Sequence, residues 1–188
     1  MIVWISGPTG AGKSSLAPLF RELGYALVQE RLPKERFRAF ASDPIRHCAL
    51  LQEEIMRSRY EGWRDLSSAP RLIFDRSLDE DAHIFCRMHR ELGLLDNRQY
   101  ERLQDLARKL QCVMPGPDLI LFMCPEARVL AERVTQPAHP ALIMQSLDRQ
   151  LSLYSEWLAT RREDVLRLDN SACSLRTVQR LFSEGLVC

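Results

Sequence analysis

Short, unbroken apolar runs alternate along the chain with stretches in which apolar residues recur every three or four positions. The runs are Ile2 to Ile5, Ala26 to Val28, Leu72 to Phe74, Leu119 to Met123 and Val165 to Leu168. Each is too short for a buried helix, so they predict strands covered on both faces. The longer periodicity predicts helices over about 13–22, 44–63, 78–92, 97–112, 126–134, 142–161 and 174–184. Strand and helix alternating in this way predict an α/β fold of three layers, a five-stranded parallel sheet with helices on both faces. No linker, repeat or low-complexity tract divides residues 1–188, and one domain is expected. The least regular stretch runs from Thr135 to Pro140, where Pro137 and Pro140 forbid a continuous helix.

Composition narrows the picture mainly by exclusion. A net charge of +1 on 188 residues gives no reason to expect a nucleic-acid polymer or a membrane surface as partner. No apolar run approaches the roughly 20 residues that cross a bilayer, and the start, MIVWIS, has no basic leader. The six cysteines form no CxxC pair, and a chain of this length has no need of a disulfide framework; reduced thiols and a cytoplasmic location are expected. Lys13, Lys34 and Lys109 are the only lysines against a large excess of arginine, so a well-placed lysine carries more information than any single arginine.

Lys13 is well placed. Gly7-Pro8-Thr9-Gly10-Ala11-Gly12-Lys13-Ser14 fits GxxxxGK[ST] directly after the first predicted strand and before the first predicted helix, the context a phosphate loop requires. Its glycines let successive N–H groups, including those of Thr9, Ala11 and Ser15, turn toward phosphate oxygens. Lys13 adds a point charge, and Ser14 an oxygen for Mg²⁺. The strand ending in Phe74 is closed by Asp75, a carboxylate positioned to hold or orient the same ion. A triphosphate such as ATP with Mg²⁺ is therefore the expected ligand.

The acceptor side is less direct. Glu30 follows the second strand at the sheet edge where open α/β folds bind ligands; it is either a general base or one more exposed acid in a charged segment. On the helix starting near Asp43, the apolar stripe Ile45, Ala49, Met56 and Trp63 also contains Gln52 and Arg59, seven residues apart and so on one face. They form either a structural network or a wall that reads a planar polar ligand. Ser77 and Glu80 read as a capping box that starts the next helix. Asp81 shares a stripe with Phe85, Met88 and Leu92, which points it inward and calls for a cation, Arg59 or Arg76. His83 and Cys86 have no further ligands at metal spacing.

Taken together and in order, these residues resemble the deoxynucleoside kinases, a family of P-loop kinases. The resemblance covers most of the chain. Glu30 sits where the family has its general base, and Gln52 and Arg59 match its base-reading Gln and Arg. Asp75-Arg76-Ser77 is similar to its Glu-Arg-Ser motif with Asp for Glu, and Asp81 matches the partner of the base-pocket arginine. Gly93-Leu94-Leu95-Asp96 and Tyr154-Ser155-Glu156-Trp157-Leu158 resemble two further family motifs. The resemblance implies that Lys13 and Mg²⁺ hold the donor phosphates, Arg76 stabilises the transferring group, and Glu30 takes the proton of a 5′-hydroxyl. It implies a purine deoxynucleoside or deoxycytidine rather than thymidine, and a homodimer, which the apolar surface of the helices at 44–63 and 78–112 also suggests. The family's arginine-rich lid is reduced here to Arg133 followed by a segment, about 134–141, without paired arginines. Another small-acceptor kinase, of nucleoside monophosphate or sugar-acid type, and a nucleotide-binding module that has lost transfer therefore stay open as alternatives.

Overall fold

The computed structural model describes residues 1–29, 34–134, 146–169 and 175–184. Glu30, most of the expected lid, Cys173 and Cys188 lie outside the described residues. The strands are β1 (Ile2–Ser6), β2 (Ala26–Val28), β3 (Leu72–Asp75), β4 (Leu119–Met123) and β5 (Asp164–Leu168). They form one parallel sheet in the order β2-β3-β1-β4-β5. Successive residues of β1 face opposite layers. Val3 and Ile5 pack with Leu16, Leu19, Phe20, Ile73 and Leu121 on one side, and Trp4 packs with Phe74, Ile84, Phe122 and Tyr154 on the other. Both faces are thus buried, which is why these strands read as continuous apolar runs.

The first predicted helix has a seam. Lys13–Leu16 is a 3-10 turn and α1 begins only at Ala17, with Pro18 in its first turn. A proline at 18 has no N–H to give to the carbonyl of residue 14, so a regular α-helix cannot run through it. An unexpected helix, α2 (Lys34–Ser42), occupies the charged segment before α3 (Pro44–Leu66). Its buried Phe40 belongs to the same core cluster as Cys48, Met56, Cys86 and Leu103. Ile45, expected inside, is 67% exposed: it sits in the first turn of α3, where helical side chains lean back past the packed neighbours.

Residues 78–91 form one helical rod, α4, made of an α turn (Leu78–Glu80), a π segment (Asp81–Cys86) and a closing α turn (Arg87–Glu91). It stops at Gly93, which is left-handed at φ 72°, leaving Leu92 at the cap and exposed rather than on the inward stripe. α5 (Asn97–Gln111) covers α3 and α4, burying Leu103 and Ala107. Their mutual packing buries Met56, Cys86, Leu103 and Ala107, while Ile45, Leu50, Leu92 and Val113 on or beside the same helices stay exposed. Beyond β4 come α6 (Ala127–Val134), α7 (Leu147–Ala159) and α8 (Leu175–Ser183). Among the described residues no helix is long and apolar enough to cross a membrane.

Phe20 meets Tyr25 and Phe182 edge to face, with centroids 5.3 and 4.9 Å away. Truncating it to alanine is expected to cost about 3–5 kcal/mol in urea unfolding, whereas Ile45→Ser, at an exposed site, should change stability by no more than about 0.5 kcal/mol. His89 is buried against Phe40, 5.8 Å between ring centres, and burial lowers its pKa to about 4. The unfolded chain therefore binds a proton there that the native state refuses, and stability falls as pH drops from 6.5 toward 4. Between pH 6.5 and 5 the loss from this group is on the order of 1.5 kcal/mol; a His89→Phe variant whose pH profile matches the parent's would refute the assignment.

Candidate active site

The sheet order reverses at β1, so the loop leaving β1 opens at the switch point of the carboxyl edge. Gly7 leaves the strand at φ 143°, and a Cβ there would lie 2.5 Å from the Met123 carbonyl of β4. Gly10, at φ 81°, presses on α6, where a Cβ would fall 2.8 Å from Val134 Cγ2. The loop can therefore pass between β4 and α6 only without side chains at these two positions. The buried Lys13 donates through Nζ to the Gly7 and Pro8 carbonyls at 2.8 and 2.9 Å, folding its ammonium into the curl of the loop. Ser14 is exposed at the mouth, and Ser15 Oγ donates to the Gly12 carbonyl at 2.6 Å. Arg133 sits on α6 where that helix meets Gly10, its Cβ 3.7 Å from the position a Gly10 Cβ would take.

Register brings the next groups to the same edge. Ile5 of β1 pairs with Asp75 of β3, and Val28 of β2 with Phe74. Arg76 extends this ladder, its N–H donating to the Ile5 carbonyl at 3.0 Å. It is the only non-glycine among the described residues with positive φ, 68°. Such backbone strain costs about 1–3 kcal/mol and persists where the surroundings over-determine it. Arg76 donates from Nη1 to the Tyr154 hydroxyl at 2.8 Å and lies over the Phe85 ring, 4.6 Å from its centre.

Behind these groups lies a buried polar wall. Arg59 of α3 holds Asp81 through two nitrogens, Nε to Oδ2 at 2.5 Å and Nη2 to Oδ1 at 3.3 Å, and its Nη1 donates to the Asp75 carbonyl at 2.6 Å. Of the two cations expected for Asp81, the bidentate partner is Arg59. Gln52, one face away from water, accepts from Cys86 Sγ at 3.9 Å. Burial first, then the Asp81 charge, raises the Cys86 pKa well above the usual thiol range, and burial pushes Cys48 up to about 12. Both thiols are therefore lining rather than nucleophiles. Arg59, Asp81, Asp75 and Arg76 thus share one side of the carboxyl edge, and Gln52 reaches the same helix α4 at Cys86.

Glu80, Gln150 and Tyr154, which spacing alone did not assign to the site, meet the loop directly. The capping box of Ser77 and Glu80 is present, but the fully buried Glu80 also accepts from Ser6 Oγ at 2.9 Å, from the Gly7 N–H at 3.4 Å and from the Tyr154 hydroxyl at 2.6 Å. Gln150, one turn before Tyr154 on α7, accepts from the Thr9 N–H and hydroxyl at 3.2 and 3.3 Å. The available signal was polar residues at helical spacing in the otherwise apolar face of α7; nothing in it told which element would receive them. Among the described residues no group of three or more His, Cys, Asp or Glu forms a metal cluster.

Because Asp81 is buried with its arginine, Arg59→Met should destabilise the protein by about 3–5 kcal/mol, and Arg59→Met with Asp81→Leu should recover most of that loss in chemical denaturation. A single variant as stable as the parent would show that the pair is not desolvated.

Comparison with known proteins bears on the family and the fold. The chain is 29% identical over 176 residues to the deoxyadenosine kinase of Dictyostelium discoideum, covering 88% of this chain and 70% of that one. It is 27% identical over 147 residues to a deoxyguanosine kinase of Lactobacillus acidophilus, covering 74% of this chain and 64% of the other. In fold it matches the structure of deoxyadenosine kinase from M. mycoides with the products dCMP and a flexible dCDP bound, at a TM-score of 0.80 and 20% identity over 99% of this chain and 98% of that one. The family model for deoxynucleoside kinase matches residues 3–180, and the chain belongs to that family.

Proposed function

We propose that this protein transfers the γ-phosphate of ATP, or another nucleoside triphosphate, to the 5′-hydroxyl of a deoxynucleoside, with purines or deoxycytidine preferred over thymidine. The observation that carries the reading is the buried Arg59–Asp81 pair with Gln52 beside it, on the side of the carboxyl edge where Asp75 and Arg76 emerge. Each carboxylate oxygen has lone-pair capacity beyond the arginine. Adenine and cytosine offer it an amino donor, whereas thymine through O4 and guanine through O6 offer an acceptor at the corresponding place; the pair therefore favours deoxyadenosine and deoxycytidine directly, and deoxyguanosine enters the proposal through the deoxyguanosine kinase among the relatives. Gln52 adds an amide able to accept and donate in the plane of a base.

The roles follow from position. Gly7, whose N–H is given to Glu80, starts the turn; the N–H groups of Gly10, Gly12, Lys13 and Ser14 cradle the donor phosphates, those of Thr9, Ala11 and Ser15 join them by exchanging Gln150, Pro8 and Gly12 as acceptors, and the Lys13 ammonium exchanges its loop carbonyls for phosphate oxygens. The Ser14 hydroxyl and Asp75 carboxylate are hard oxygen donors of the kind Mg²⁺ takes, and the ion would neutralise charge on the phosphates. Arg76 and Arg133 supply positive charge to the group in flight. Glu30, two residues past the end of β2, accepts the proton of the 5′-hydroxyl. A homodimer in the cytoplasm is part of the same proposal, and light scattering tests its first half.

The decisive measurement is a transfer assay with MgATP against deoxyadenosine, deoxyguanosine, deoxycytidine and thymidine. Transfer to an amino-bearing base is expected, with kcat reduced about 10²–10⁴-fold in Glu30→Gln and little change in ATP binding. Tight ATP binding without transfer to any of the four would favour the nucleotide-binding module, in line with the arginine-poor lid, and thymidine as best acceptor would overturn the base argument.

A further inference from the structure

We propose that Tyr154 is a positioning residue: its hydroxyl ties Arg76 to the phosphate loop, with Glu80 as the fixed counter-charge. The hydroxyl is the meeting point of otherwise separate elements. It accepts from Arg76 Nη1 at 2.8 Å and shares its own proton between Glu80 Oε1 at 2.6 Å and the Gly7 carbonyl at 2.9 Å. Tyr154 comes from α7, 147 residues along the chain from Gly7 and 78 from Arg76. No local turn chemistry accounts for the contact. The ring is held between Phe122 and Trp157, with centroids 5.4 and 6.2 Å away, so the hydroxyl is placed by packing. Burial, and then the charge of Glu80, keep the phenol neutral and hence a donor.

Glu80 explains why a tether is needed. Its carboxylate is fully buried, fixed by Ser6, Gly7 and Ser77, and lies 3.5 Å from Arg76 Nη1. Arg76 and Glu80 already form an ion pair at this 3.5 Å separation; without the hydroxyl wedged against both, Arg76 would close to direct hydrogen-bond contact with Glu80 and turn away from the loop. With it, the guanidinium is held at a fixed distance from Gly7, the residue that starts the phosphate cradle. Gln150 grips Thr9 from the same face of α7, so this helix sets the loop and the arginine as one unit. Electrostatic stabilisation of a transferring phosphoryl group depends on such prior placement, and a misplacement of about 1 Å can cost roughly 100-fold in rate.

The consequence for rate rests on the kinase reading above, whereas the tether itself does not, and the test separates them. In the ligand-free protein, the Arg76 side-chain Nε–H, assigned through Arg76→Lys, should be ordered in ¹⁵N relaxation and become mobile or shift in Tyr154→Phe; an unchanged Arg76 signal would overturn the tether. In the transfer assay, Tyr154→Phe should lower kcat about 10- to 100-fold with KM for both substrates changed less than about 3-fold. In an Arg76→Gln background the same change should cost less than about 2-fold. Equal losses in both backgrounds, or a loss confined to KM, would refute positioning through Arg76. If the parent transfers phosphate to no deoxynucleoside, the kinase reading fails and the relaxation measurement alone decides the tether. Should Tyr154→Phe not fold, Glu80→Gln, which keeps the shape and removes the charge, is read by the same Arg76 signal, with unchanged order and shift again overturning the proposal.

Discussion

Two carboxylates adjacent in sequence, Glu80 and Asp81, are both held out of water, and much of the site is arranged around satisfying them. Burying an ion costs several kcal/mol even after relaxation, and partners return that cost only when geometry is close to ideal. Asp81 meets it through the two-nitrogen grip of Arg59. Glu80 meets it through hydroxyl and N–H donors, with Arg76 at one remove. A hydrophobic pair of equal volume would serve stability as well or better. What the charged arrangement does is orient two arginines, one along the buried polar wall and one beside the phosphate loop.

Both acids are presented by α4, at the point where its winding changes. In a regular α-helix, neighbouring residues point about 100° apart, so one of two adjacent acids would ordinarily face away from a given pocket. Here the change from α to π winding falls between Glu80 and Asp81, and each acid faces its own buried partners. Such π segments occur frequently at functional sites because the wider turn redirects side chains at the cost of poorer hydrogen bonding. The capping box at Ser77 starts the rod, and α5 and α7 pack over it, so the π winding is surrounded on several sides.

The phosphate loop obeys a different constraint, the exclusion of side chains. Gly7 threads past the Met123 carbonyl and Gly10 past Val134, so the loop is shaped by β4 and α6 as well as by its own glycines. Its contacts with Gln150 and Tyr154 add donors and acceptors from α7. A loop held this way keeps its backbone path before any ligand arrives, while its N–H groups at Gly7 and Thr9 and the Lys13 ammonium are satisfied by protein acceptors.

The sheet, most of its helices and the phosphate loop were legible in the linear sequence because each is set by a short-range rule: apolar runs for strands buried on both faces, helical spacing for covering helices, and a glycine–lysine spacing for the loop; α2, in a charged segment, was not. Gln52, Arg59 and Asp81 were legible in part, as polar residues on apolar stripes that need partners. The paired identity of Arg59 and Asp81, the second duty of Glu80 behind an ordinary capping box, and the grip of Gln150 and Tyr154 on the loop were decided by tertiary structure alone. The physical reason is that hydrogen bonds and ion pairs between distant segments leave no periodic trace: a sequence marks which polar side chains are buried and must be satisfied, but packing chooses which groups satisfy them.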